Sequence, residues 1–375
     1  MDPLLKEIRH NSLLWLLVFV PVVLAAARIA PSAHTLLFVL AVLAIVPLAA
    51  LLSHATEAVA ARTGDAVGGL LNATLGNLTE LIIAVTALSA GQYMLVKASI
   101  AGAIVTNSLF MLGTSFLIGG LRYRVQEYNR ANGRLHSALL LMATVALLAP
   151  SAVAELDLAQ DKGLAQRLSA ALAVLLIAGY GLGLLFSLRT HKEFFASEDH
   201  DEKGQAPWPI GLAVGTLVVV TVLVALTSEI FVESVQNAAG TLGISPAFVG
   251  FIVVSIVGAA AEMAVAFSAA RKNRLDMSIS IALGSASQIA LFVSPVLVLL
   301  SYVLGPAPMD LQFWPGAVTM AMIAVVTTTF VTGIGRSAWF IGVLLVFIYA
   351  ILALTLYMVP PGSSVRISGI DWPAA

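Results

Sequence analysis

Cysteine is absent from this chain, and charge is scarce: only 10% of its 375 residues are Asp, Glu, Lys or Arg. The missing thiols exclude disulfides, cysteine-ligated zinc and thiol catalysis. The missing charge excludes an ordinary soluble domain, in which about 25% of residues are charged. Histidine is thin as well, 6 in all, and only His54, at the end of an apolar stretch, stands where a membrane zinc site would want one. A hydrolase would need a Ser/His or His/His/Asp constellation inside the apolar segments, and none is there. The chain therefore reads as a non-enzyme, and nothing in it calls for nucleic acid.

What is present is apolar surface: 59% hydrophobic residues and a mean hydropathy of +0.98. A bilayer core of about 30 Å takes about 20 apolar residues per helix. By that measure the chain holds eleven spans, at 12–29, 34–58, 66–90, 96–120, 135–154, 167–188, 208–230, 246–270, 277–303, 313–333 and 337–358. Turn and charge signals such as "RTGD", "RYRVQEYNRANGR", "RKNRLD" and "GPAPMD" separate them. The first span also fits a signal peptide, with Lys6 and Arg9 ahead of it and "AAARIA" behind. With the N-terminus cytoplasmic, 14 of the 19 Lys and Arg fall inside, leaving Arg28, Lys97, Lys162, Arg167 and Arg366 outside. That bias predicts an N-in, C-out integral membrane protein, and the length suits a bacterial inner membrane.

The chain also resembles itself. A shift of 182 residues lays Val67-Gly68 on Val249-Gly250, Gly76 on Gly258, Glu80 on Glu262 and Leu109-Phe110 on Leu291-Phe292, without gaps. Matches of Gly and Ala are cheap in such a composition. Matches of acids deep in a span are not. The shift maps span 3 onto span 8, and five spans per copy turn the second copy upside down, the plan of many secondary transporters. The expected fold is all-α, with eleven transmembrane helices arranged as one plus two inverted five-helix repeats. Residues 1–30 then form the first helix, 31–190 the first repeat, 191–206 an acidic linker, 207–360 the second repeat and 361–375 a tail.

A carboxylate at the bilayer centre costs about 2.5–3.5 kcal/mol on insertion scales, so Glu80 and Glu262 are expected to face an interior cavity. Asn72, Gly76 and Glu80 share one helix face at i, i+4 and i+8. Spans 4 and 9 add Thr106, Asn107 and Ser108, and Ser285, Ser287 and Gln288. Gly76 and Gly258 would permit broken helices whose freed carbonyls join the site. Such a set of hard oxygens suits Ca²⁺. Two carboxylates in a poorly hydrated cavity repel, and either a divalent cation or protons relieve that repulsion. Competition for one pair of acids is the basis of antiport.

At these residues the chain resembles the cation/proton exchangers of the cation/Ca²⁺ antiporter superfamily. "GGLLNATLGNLTELIIAVTAL" is similar to that family's first repeat motif, and "GAAAEMAVAFSAARKNRLDMSISIALGSASQIALFVSPVLVLLS" to its second. The resemblance implies Ca²⁺/H⁺ exchange, with Glu80 and Glu262 as the ion-binding acids and Asn77, Asn107, Ser285 and Gln288 in support. Ca²⁺ and H⁺ would be cargo, with no cofactor. The second motif departs from the family's Gly-Asn-Ala-Ala-Glu-His: this chain has Ala259 and Met263 where an amide and an imidazole are usual. Na⁺ coupling, or Na⁺, Mn²⁺ or Mg²⁺ as substrate, therefore stays open, as does assembly into a homo-oligomer. Glu57 on span 2 and Glu229 and Glu233 on span 7 are candidates for the ion path. The linker's Glu193, Glu198, Asp199, Asp201 and Glu202 read as a solvated acidic segment.

Overall fold

The structure, a computed structural model, describes residues 2–63, 65–154, 162–190, 208–361, 366–367 and 370–371. The expected acidic linker, 191–206, lies outside them. The described chain is almost wholly helical. An amphipathic α1 (Asp2–His10) leads through a tight helical turn, Ser12–Val18, into α2 (Phe19–Ile29), then α3 (His34–Ala60), α4 (Asp65–Leu75) and α5 (Leu78–Ser89). Next come α6 (Tyr93–Val105), α7 (Leu112–Tyr123), α8 (Arg130–Ala154), α9 (Lys162–Leu185) and the long α10 (Ile210–Leu242). The rest are α11 (Pro246–Phe248), α12 (Ser255–Gly258), α13 (Ala260–Arg271), α14 (Leu275–Gln288), α15 (Ser294–Leu304), α16 (Pro315–Thr332) and α17 (Trp339–Met358). Among the described residues nine helices are long and apolar enough to cross a bilayer, and two bent pairs raise the number to as many as eleven.

The two bent pairs are the expected spans 3 and 8. Val67–Leu75 meets Leu78–Ser89 at 44°, and Pro246–Gly258 meets Ala260–Arg271 at 58°. Each bend falls where the backbone leaves helical geometry, at Asn77 (φ −98, ψ 26) and Ala259 (φ −80, ψ 5). Element boundaries recur at the same 182-residue shift as the sequence. It carries α5 onto α13 at both ends, the start of α6 onto that of α14, and the start of α7 onto that of α15. The junctions α6–α7 and α14–α15 are both π-helical, at Thr106–Met111 and Ile289–Val293, and such bulges turn side chains out of helical register at functional positions.

Two expectations need correction. α10 runs to Leu242 rather than stopping near 230. "SEIFVESVQNAAGTL" is too polar to look membrane-embedded, yet it holds no break before Gly243, whose left-handed φ of 68° ends the helix. The all-α reading also missed strand pairing. β1 (Val125–Glu127), inside "RYRVQEYNRANGR", pairs antiparallel with β2 (Arg336–Ala338). A second two-residue pair joins 366–367 to 370–371. The buried Gln126 side chain pins β1 to the turn after α13, donating to the Ala270 carbonyl (3.0 Å) and to Asn273 Oδ1 (2.9 Å).

Candidate functional site

The two breaks place the two acids. Glu80 is the third residue of α5 and Glu262 the third of α13, so each carboxylate lies in the first turn of a half-helix. Unpaired backbone N–H groups and the positive end of the helix dipole favour an acid there. The breaks also bring the halves together. A Cβ added to Gly258 would stand 2.8 Å from Glu80 Cγ and 3.2 Å from its Oε1, so the acid of the first motif lies against the break of the second. In the other direction, a Cβ on Gly76 would stand 4.0 Å from Gln288 Oε1. The two carboxylates are close enough to interact electrostatically.

A polar network surrounds them. Asn77 Nδ2 donates to Gln288 Oε1 (2.6 Å), Ser285 Oγ donates to Asn77 Oδ1 (2.9 Å), and Asn107 Nδ2 donates to Ser285 Oγ (3.0 Å). Ser285 is also within hydrogen-bonding reach of Glu262. The four neutral residues expected at the site are thus one connected cluster drawn from α5's N-cap, the α6–α7 junction and α14. Asn77 occupies a helix N-cap, where Asn ordinarily caps with its own oxygen. Here its side chain makes no cap bond and serves the network instead. Three buried oxygens at the site have no hydrogen-bond partner: Glu80 Oε1, Glu262 Oε2 and Asn107 Oδ1. Orphaned acceptors are costly in a low-dielectric interior, and this trio is what a hard cation or a proton would satisfy. Among the described residues no group of three His, Cys, Asp or Glu forms a denser metal cluster.

Other expected residues are placed differently. Thr106 bonds the Tyr349 hydroxyl (3.3 Å) and Ser287 bonds the Leu283 carbonyl (2.8 Å), so neither joins the amide network. Of the carbonyls freed by the first break, that of Ala73 is taken by the Tyr180 hydroxyl (2.8 Å), a cap from 107 residues away that local sequence does not announce.

Two adjoining cavities lead to the site from one side. The inner, about 270 Å³, is lined by Glu57, Asn72, Gly76, Glu262, Gly284, Ser285 and Gln288. The outer, about 600 Å³, is lined by Asn11, His54, Lys272 and Arg274, and shares Ser53, Glu57, Val265 and Met277 with the inner one. Glu57 therefore stands at their junction, accepting from Ser53 Oγ (3.4 Å). Glu229 and Glu233 are exposed on α10 and line neither cavity. His54 Nε2 lies 3.6 Å from Glu7 Oε1 at the outer mouth. On α6 the chain packs tightly against the second bent pair. At Gly102, in α6, a Cβ would fall 2.2 Å from the Phe251 carbonyl oxygen and 2.5 Å from Ser255 Oγ. At Gly284, its counterpart under the 182-residue shift, nothing lies within 4 Å.

The chain thus carries two bent apolar helix pairs, each with a carboxylate just past its break. The profile of the sodium/calcium exchanger protein family matches residues 33–189 and again 212–358, and the chain belongs to that family. It is 39% identical over 361 residues to a Ca(2+)/H(+) antiporter of Synechocystis sp., covering 92% of this chain and 96% of that one. It is 38% identical over 338 residues to a Ca(2+)/H(+) antiporter of Aphanothece halophytica, covering 86% and 90%. Among solved structures, the Ca2+/H+ antiporter protein YfkE superposes with a TM-score of 0.79 at 31% identity, over 93% of this chain and 100% of the other.

Proposed function

We propose that this chain is a secondary Ca²⁺/H⁺ antiporter, which moves Ca²⁺ out of the cytosol as protons enter. Glu80 and Glu262 bind one Ca²⁺ or protons in alternation, and Asn77, Asn107, Ser285 and Gln288 hold them in place. The observation that carries the reading is the packing of Glu80 against the second break at Gly258, with three unpartnered oxygens beside it. Membership in the exchanger family and the cation named for the Synechocystis and Aphanothece relatives support the choice of cargo. The recurrence of element boundaries at 182 residues supports one helix followed by two inverted five-helix repeats. The basic residues Lys272 and Arg274 at the open mouth support a cytoplasm-facing cavity under the positive-inside rule. A cation entering past those charges meets Glu57 before Glu262, which makes Glu57 the path residue; Glu229 and Glu233 belong to the outer, solvated end of α10.

The test is transport in inside-out vesicles. An acid interior drives ⁴⁵Ca²⁺ uptake that a protonophore abolishes, and Glu80→Gln and Glu262→Gln each abolish it, since either leaves the cation one carboxylate. Uptake that ignores the pH gradient but follows a Na⁺ gradient sinks the proton assignment. Full transport by either mutant sinks the site.

A further inference from the structure

Two tyrosines outside the amide network occupy matching places. Tyr180 on α9 and Tyr349 on α17 are both buried, each on the last long helix described in its half of the chain. Tyr180 stacks on Phe292, with ring centroids 5.2 Å apart and planes at 30°, and Tyr349 meets Phe110 at 5.2 Å and 37°. Phe110 and Phe292 are partners under the 182-residue shift, and each belongs to a π-helical junction. The contact is therefore reciprocal: the last helix of each half seats a tyrosine ring on the bulge of the other half. The tyrosines themselves are 169 residues apart, so a gap-free shift does not pair them.

The hydroxyls differ in what they hold. That of Tyr349 bonds Thr106 Oγ1 (3.3 Å). That of Tyr180 donates to the Ala73 carbonyl (2.8 Å), with Thr74 also within its reach. A helix end frees carbonyls that need a partner, and Ala73 lies in the last turn before the first break. Its shift counterpart is Ser255, where the backbone keeps its own bond, Ala259 N to the Ser255 carbonyl at 3.2 Å. At the first break a side chain from α9 takes that place.

We propose that Tyr180 is a positioning residue for cation binding, an inference that rests on the Glu80 and Glu262 site proposed above. Two ties join the first break to the second junction. One is polar, Asn77 to Gln288 (2.6 Å). The other runs from Ala73, four residues before Asn77, through Tyr180 to Phe292, four residues after Gln288. Tyr180 thus sets the spacing of the segments that carry Asn77 and Gln288, and acts on the cation through them. Without its hydroxyl the ring keeps its seat on Phe292, but the break is free to shift against Gln288. A binding constellation needs its groups held to about 0.5 Å by such support.

Initial rates of pH-gradient-driven ⁴⁵Ca²⁺ uptake in inside-out vesicles are measured over a range of Ca²⁺, beside thermal unfolding of the purified full-length protein. Tyr180→Phe is expected to raise KM for Ca²⁺ about fivefold or more, with Vmax within about twofold of the parent. Phe292→Leu, which removes the seat and keeps the hydroxyl, is expected to raise KM too. Combined with Tyr180→Phe it adds less than the product of the two effects. A lower Tm with a parental KM in Tyr180→Phe shows a merely structural tie and overturns the proposal. Should Tyr180→Phe not fold, a parental KM in Phe292→Leu overturns it instead. A parent without pH-driven uptake overturns the antiport reading, and the proposal with it; an active parent matched in KM by Tyr180→Phe overturns the proposal alone.

Discussion

Ser285 has a single hydroxyl hydrogen and two claims on it. It donates to Asn77 Oδ1 and also stands within reach of Glu262. A hydroxyl in that position ties Asn77 to Asn107 beside the acid, and leaving a buried hydrogen-bond partner unsatisfied costs about 1–3 kcal/mol. Ser285→Ala is therefore expected to raise the apparent KM for Ca²⁺ by about tenfold or more, at 1.4 kcal/mol per decade, while the protein still folds; Ser285→Thr is expected to recover most of the loss. Ca²⁺ dependence of the initial rate in vesicles reads both. Ala259 and Met263 are buried beside Glu262 and supply no hydrogen-bonding side chain to it. Ala259→Asn with Met263→His is expected to shift cation preference or the pH of half-maximal exchange, read by competition between Ca²⁺ and Mn²⁺ across pH. The paired acids were legible in the sequence because a carboxylate deep in a span is rare and this one recurs. The bonding order of Asn77, Gln288, Ser285 and Asn107 was not, because it joins residues up to 211 positions apart.

The broken helices carry the design at the next scale. Their glycines marked the breaks in advance, but the backbone turns at the following residues, Asn77 and Ala259, because an acid at the third position of a new helix starts that helix two residues before it. The end of α10 escaped the hydropathy pattern for the opposite reason: its polar face still propagates as helix. β1 escaped too, since three residues in a charged loop carry no period. Yet β1 fixes the turn after α13 through Gln126. Gln126→Ala removes one buried and one part-buried hydrogen bond, at a cost of about 1–3 kcal/mol. Its expected signature is a lower Tm in detergent with exchange per folded molecule retained; an unchanged Tm would show the clamp to be idle.

The whole molecule is lopsided about its own repeat. Carried back by 182 residues, the contact that seats Gly102 against Phe251 and Ser255 becomes one between Gly284 and the stretch Gly69 to Ala73. In this structure that second contact is open, and the inner cavity passes Gly284. Under the antiport proposed above, the space in front of Gly284 would be filled in a conformation in which the two ends exchange packing. A Cβ at Gly284 meets nothing within 4 Å, so a larger side chain there is expected to obstruct the arrangement that needs the space. Gly284→Leu should therefore act as a wedge. The absence of cysteine supplies the reporter: with Ser53→Cys as the one thiol, maleimide from the cavity side should label the wedged protein at least as completely as its parent while exchange stops. Exchange at the parental rate would mean that Gly284 is never a closing surface. If exchange stops instead, a lone hydrogen atom in place of a side chain is what lets the molecule turn over.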